Sequence, residues 1–295
     1  TYSFIFGAMF GDVGQGLILF LGGLFLYKTK HMDLAGIISC AGVFSVFFGF
    51  MYGSFFGFED VLKAIWLKPM NQMMDVPLVG RLNAVFVIAI GFGMFIILIC
   101  MIFNIINSIR NKDTEKAWFD SNAVAGLVFY GSIVLTVGLF ISGRKLPATA
   151  VLVVMFGVPL LLMFLKEPLT NLVEKKSEIF PEQKGMFFVQ SFFELFEVLL
   201  SYLSNTLSFL RIGAFAVSHA AMMEVVLMLA GATNGGSPNW IVVVLGNIFV
   251  CAMEGLIVGI QVLRLEYYEI FSRFYAGNGR EFQPFMKTLR KSVQK

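Results

Sequence analysis

The chain has 295 residues, of which 58% are hydrophobic, 34 are Phe and 14% are charged, with a formal net charge of +3 and a mean hydropathy of +0.81. Such a composition excludes a water-soluble domain, and the small, scattered charge excludes nucleic acid as a partner. Cys40, Cys100 and Cys251 each fall within an apolar run, which predicts buried, reduced thiols rather than a disulfide framework.

An all-α, polytopic integral membrane protein follows, because a helix of about 20 apolar residues crosses the hydrocarbon core and the chain supplies several such runs. Residues 1–10 read as the tail of a hydrophobic segment already under way, so the sequence reads as the membrane half of a longer protein with a truncated first helix. The break Gly11-Asp12-Val13-Gly14-Gln15-Gly16 permits a tight turn into the next run, which continues to Tyr27. Further spans are expected at 34–57, 82–108, 118–141 and 147–165, followed by a polar linker, a very long pattern over 186–230 and a last one over 240–275. That makes eight spans. The chain then divides into an N-terminal helix bundle (1–165), a cytoplasmic linker (166–185), a unit of two long, strongly tilted helices (186–285) and a cytoplasmic tail (286–295).

Basic residues set the orientation. Lys28 and Lys30, then Arg110, Lys112 and Lys116, then Lys166, Lys175, Lys176 and Lys184, and finally the tail after Arg273 fall on one side of an eight-span chain. That side and the C-terminus are expected to be cytoplasmic, with 58–81, 142–146 and 231–239 outside; Arg144 and Lys145 run against the pattern. Gly49, Gly53 and Gly57 recur every four residues, a small-residue stripe that reads as helix packing.

The chemistry is concentrated after residue 185. At roughly 100° per residue, Glu197, Ser201, Ser204, Ser208, Arg211, Ser218 and His219 share one face of the long helical pattern. In the last segment Asn247, Glu254, Gln261, Arg264, Tyr268 and Ser272 are spaced by seven, seven, three, four and four. Two polar faces of this kind can line a common path. Arg211 stands out, because a guanidinium keeps its proton and costs ~3 kcal/mol or more at mid-membrane. Snorkelling to an interface or a structural pair with Glu197 or Glu254 is the alternative to a functional role. Arg264 lies closer to the cytoplasmic end, where snorkelling is easier. Glu197 and Glu254 are either path-lining carboxylates or satisfied core groups, and His219 is either a lone packed histidine or part of the same path. No third and fourth ligand accompanies it, which disfavours a metal. Asp12 either caps the helix after the glycine break or opens the path to water. Glu269 either makes a helix-surface ion pair with its basic neighbours Arg264 and Arg273 or attracts cations at the cytoplasmic mouth.

The stretches MFGDVGQG (9–16), FFGFMYGSFFG (47–57), LSNTLSFLRIGAFAVSHA (203–220) and MEGLIVGIQVLRLEYYEIFSRFYAGNGREFQPF (253–285) resemble, in order, the membrane domain of the large stator subunit of V-type and A-type rotary ATPases, subunit a or subunit I. The resemblance implies that Arg211 faces a ring of small rotor subunits (c/K type), each with an ion-binding carboxylate. It implies that Arg264 is the second stator arginine and that Glu197, His219 and Glu254 belong to ion half-channels. Ser201, Gln261 and Glu269 join the half-channel set, and Asp12 matches the acid of the first glycine turn. Gln261 and Glu266 stand where some members carry histidine, so no histidine relay is carried over to them, and both H⁺ and Na⁺ remain open. The resemblance further implies peripheral stalk subunits bound through a soluble N-terminal domain, no bound cofactor, and a lipid bilayer as surroundings. No G-x-x-x-x-G-K-[ST] phosphate loop is present, so ATP chemistry is expected in partner subunits and none in this chain. The residues alone leave two rivals: a self-contained secondary transporter with an intramembrane Arg/Glu substrate or proton site, and a channel-like subunit.

Overall fold

In a hydrocarbon phase every backbone N–H and C=O must be satisfied within the chain, and the apolar runs accordingly become helices. The computed structural model describes residues 1–58, 61–70, 73–76, 80–111, 115–145, 147–173, 184–232, 238–275 and 277. In chain order the helices are α1 (Tyr2–Met9), α2 (Val13–Lys30), α3 (Asp33–Tyr52), α4 (Ala84–Arg110), α5 (Val124–Ile141), α6 (Thr149–Phe164), α7 (Lys166–Val173), α8 (Lys184–Ser208), α9 (Leu210–Leu229), α10 (Trp240–Arg264) and α11 (Ser272–Phe274). Two π-helical stretches, Glu115–Phe119 and Leu265–Phe271, interrupt the α pattern. The connection after α3 carries a two-stranded antiparallel ribbon, β1 (Met73–Val76) with β2 (Gly80–Asn83), in which Met73 faces Asn83.

Among the described residues five helical stretches are long and apolar enough to cross a membrane: Asp33–Tyr52, Ala84–Arg110, Ala117–Ile141, Gly185–Leu229 and Trp240–Phe274. A sixth arises if α6 and α7, bent by 73° at their junction, count as one broken span. The expected eight includes α1 and α2, which do not meet the same measure of length and apolarity. The α6–α7 bend has a local cause. Pro168 has no N–H to offer the carbonyl four residues back, at the end of α6, and Leu165 closes α6 with its N–H on Leu161 O. Residues 166–173, expected as plain linker, thus begin as a helix, which Lys166 ties to Glu194 of α8 by an ion pair; residues 174–183 lie outside the described residues, as do Lys112 and 278–295.

The core forms where α1, α4 and α9 meet the end of α10. Ile5, Met9, Phe10, Ile97, Met101, Phe209, Val258 and Leu265 are all fully buried there. The outer surface is apolar, with Phe25, Val153, Phe193, Leu229 and Ile241 each more than 60% exposed, as expected of helix faces solvated by lipid. Cys100 is buried as expected, but Cys40 is exposed on this outer face and Cys251 is only partly covered.

Two expectations about glycine are corrected. The span over 34–57 stops at Tyr52, because Gly53 takes φ +75° as a left-handed C-cap and Gly57 takes φ +82°, backbone that glycine adopts without steric cost. Only Gly49 of the predicted stripe lies within a helix; there a Cβ would meet Val13 N at 2.4 Å. The long pattern over 186–230 forms one stretch, Gly185–Leu229, in which the buried residue Phe209 separates α8 from α9. The Phe209 ring lies on Gly93 of α4, where a Cβ would come within 2.3 Å of it.

Candidate functional site

Arg211 occupies the first turn of α9 and is partly buried. One terminal guanidinium nitrogen, Nη2, donates to Ser208 Oγ at 3.2 Å. The Ser208 hydroxyl in turn donates to Glu269 Oε1, so the polarity runs one way, from guanidinium through hydroxyl to carboxylate. Arg211 Nη1 and Glu269 Oε2 are buried without a hydrogen-bond partner in the structure. Glu269 is 5% exposed, and Arg211 feels the charges of both Glu269 and Arg264. Arg264 itself, the last residue of α10, is exposed. Arg211 and the exposed Arg264 thus stand on neighbouring helices, near enough for their charges to act on one another.

The expected surface ion pair of Glu269 with Arg273 is not formed. From Leu265 the chain is π-helical, with the Ser272 N–H reaching Tyr267 O, which rotates every later side chain relative to an α-helical projection. Glu266 and Glu269 thereby turn inward while Tyr267 and Tyr268 turn out. The same shift breaks the predicted stripe: Tyr268 is 71% exposed and Ser272 merely donates to the Tyr268 carbonyl. Arg273, read from sequence as the start of a basic tail, is instead buried. It donates to Asn122 Oδ1 at 2.9 Å and sits 5.8 Å from the centroid of the Tyr202 ring, clamping the end of the last helix against the segment before α5 and against α8.

A second cluster lies deeper along α9. His219 Nδ1 and Glu254 Oε2 are 2.5 Å apart, with both side chains buried and the His219 ring 4.7 Å from that of Phe10. His219 Nε2 and Glu254 Oε1 have no partner in the structure. The structural pair considered for Arg211 and Glu254 is not made; the carboxylate belongs to His219. The arc drawn from sequence also divides. His219 is buried in the bundle, whereas Arg211 is partly exposed.

Asp12 is completely buried and caps α2, its Oδ1 accepting from Gln15 N at 2.9 Å and from Phe56 N at 3.1 Å. Its Oδ2 accepts from Ser54 Oγ at 2.6 Å and from Gly57 N at 3.0 Å. Four donors saturate this carboxylate and bind the α1–α2 turn to the loop after α3, the capping alternative of the sequence reading. Beside it, Gln15 Nε2 donates to Asn247 Oδ1 of α10 at 2.9 Å, a buried contact between residues 232 apart in sequence that no local pattern announces. Gln15 and Asn247 line a groove of about 1460 Å³ that runs along α10 to Gly259 and Glu266.

Glu197 and Ser201 are exposed on α8, the latter accepting from Asn205 Nδ2 at 3.2 Å, and Gln261 is half-buried on α10. None of the three joins either cluster. At about 1.5 Å per residue, Glu197 lies roughly 21 Å before Arg211 along the helix and His219 about 12 Å after it, so the acidic positions sit at different depths on either side of the arginine. The sequence reading missed Ser208 as a bridging group, Gln15, and the buried state of Arg273.

The fold and these sites together define a polytopic helical membrane protein with charges held at depth. Residues 166–287, which carry Arg211, Glu269, His219 and Glu254, match the V-type ATPase 116kDa subunit family. Over 96% of its length the chain is 27% identical to the A-type ATP synthase subunit I of Aeropyrum pernix, covering 46% of that protein. It is 28% identical to the subunit I of Pyrococcus abyssi over 97% of its length and 42% of that protein's. It is 22% identical to the vacuolar proton translocating ATPase 100 kDa subunit of Dictyostelium discoideum over 98% of its length and 49% of that protein's. The chain is thus similar to subunit I of A-type ATP synthases over nearly its whole length, and to the V-type ATPase 116kDa subunit family over residues 166–287. It spans less than half the length of the curated relatives it matches.

Proposed function

We propose that this chain is the ion-channel part of the stator of a rotary V/A-type ATPase, in which Arg211 faces the ion-binding carboxylates of a rotor ring and two offset half-channels serve H⁺ or Na⁺. The observation that carries the reading is Arg211 itself: a permanent cation within a stretch long and apolar enough to cross a membrane, tethered at one terminal nitrogen and without a hydrogen-bond partner at the other, which is buried. A rotor carboxylate entering this interface loses its ion. The guanidinium charge stabilises the bare anion and, being fixed, repels ions that would pass straight from one path to the other. Glu197, with Ser201, serves the path on one side of Arg211. The His219–Glu254 pair serves the other, with a small cavity beside His219 lined by Tyr52, Ser54 and Met223. Arg264 and Gln261 complete the rotor-facing edge, Glu269 backs Arg211, and Asp12 holds the turn that positions Gln15.

The eight-span topology with a cytoplasmic C-terminus belongs to the same proposal, as do a peripheral stalk partner and ATP chemistry in other subunits. Cysteines introduced at Leu207 and Leu263, exposed beside Ser208 and Arg264, test the facing surface. Each should form a disulfide with a cysteine placed beside the rotor carboxylate. Cross-linking from Val153 on α6 in place of these two would place the ring on the wrong face and refute the assignment.

A further inference from the structure

Arg211 is the end of a short polar chain. Ser208 closes α8 just before the junction residue Phe209, Arg211 lies in the first turn of α9, and Glu269 reaches them from the π-helical stretch after α10. The three elements bring an acceptor, a relay hydroxyl and a cation into one line. Resting on the reading of Arg211 as rotor-facing, we propose that Ser208 and Glu269 are positioning residues that hold Arg211 by its Nη2 edge and so fix where its charge stands toward the rotor carboxylate.

The hydroxyl accepts from the guanidinium at 3.2 Å and donates to the carboxylate, and hydrogen bonds in such a chain strengthen one another. A carboxylate in direct bidentate contact would compete with the rotor group for the whole guanidinium edge. Interposing a hydroxyl keeps Glu269 near enough for its charge to act on Arg211 while occupying one nitrogen only. An arginine is a long, rotamer-rich side chain, and a tether of this kind limits its wandering as successive rotor subunits pass. The π-helical register is what makes it possible, since it turns Glu269 into the interface and out of the exposed row of Tyr267 and Tyr268.

The test is ATP-driven ion pumping by the assembled complex in vesicles, normalised to the amount of complex. Loss of a hydrogen bond to a charged group corresponds to roughly tenfold in rate, so Ser208→Ala and Glu269→Gln should each slow pumping by about that factor. Ser208→Thr, which keeps the hydroxyl, should recover most of the rate. Ser208→Cys, of nearly the same volume but a weak donor, carries the test if the alanine variant assembles poorly and should be slow as well. Wild-type pumping by Ser208→Ala or Ser208→Cys overturns the tether, and so does a threonine variant as slow as alanine, because packing alone would then account for the site. Arg211→Ala separates the two levels. If it pumps normally the stator reading itself fails, whereas a dead Arg211→Ala beside normal Ser208 and Glu269 variants removes the tether alone.

Discussion

At the scale of single residues, the functional reading depends on whether charges held in the membrane are occupied or poised. Asp12 is occupied: four donors saturate it, and its role is to hold a turn. His219 and Glu254 are poised, sharing one 2.5 Å contact and leaving one polar atom each without a partner. Glu254→Gln should therefore assemble normally and pump slowly, measured as ion uptake per complex; a complex that falls apart would make the carboxylate a structural group. Arg211→Lys should also be poor, because a compact ammonium cannot reach Ser208 with one edge while presenting another to a passing carboxylate. Near-normal uptake by that variant would mean that charge alone suffices. Much of this was legible in the sequence. Arg211, His219 and Glu254 stand out because a polar residue within an apolar helical run is costly and visible. The Gln15–Asn247 contact is not legible, since it joins residues 232 positions apart and each looks like an ordinary amide in its own segment.

At the scale of elements, close approach and register matter most. The helix periodicity located most helices well, but a projection at constant angle assumes α geometry throughout. The stretch Leu265–Phe271 departs from it, and this is why Glu269 and Arg273 are buried where a surface ion pair was expected. The end of α3 at Gly53 was hidden for a related reason, because the repeating glycines look alike in sequence and only their φ values divide a packing residue from a cap. The turn held by Asp12 should be measurably important. Asp12→Ala strips four hydrogen bonds from one buried site and should lower the stability of the membrane domain by about 2–4 kcal/mol, read as a fall in the thermal denaturation midpoint in detergent. An unchanged midpoint would show that the turn holds without its cap. Gly93→Val drives a side chain into the Phe209 ring and should disturb the α8–α9 junction, at about 1–3 kcal/mol and with reduced pumping.

At the scale of the whole molecule, the chain reads as one half of a machine. Its apolar outer helices, its offset acidic positions and a guanidinium tethered at one nitrogen make sense against a moving partner. A secondary transporter would carry substrate by itself, so the purified chain in liposomes should be inert to ion gradients, and substrate or ion uptake by the chain alone would favour that rival. The central claim is tested most directly by coupled ion pumping in reconstituted complex carrying Arg211→Ala, assayed in parallel with ²²Na⁺ and with a pH-sensitive dye. Pumping of either ion should fall to background with the complex still assembled; full ATP-driven pumping by that variant would contradict the account.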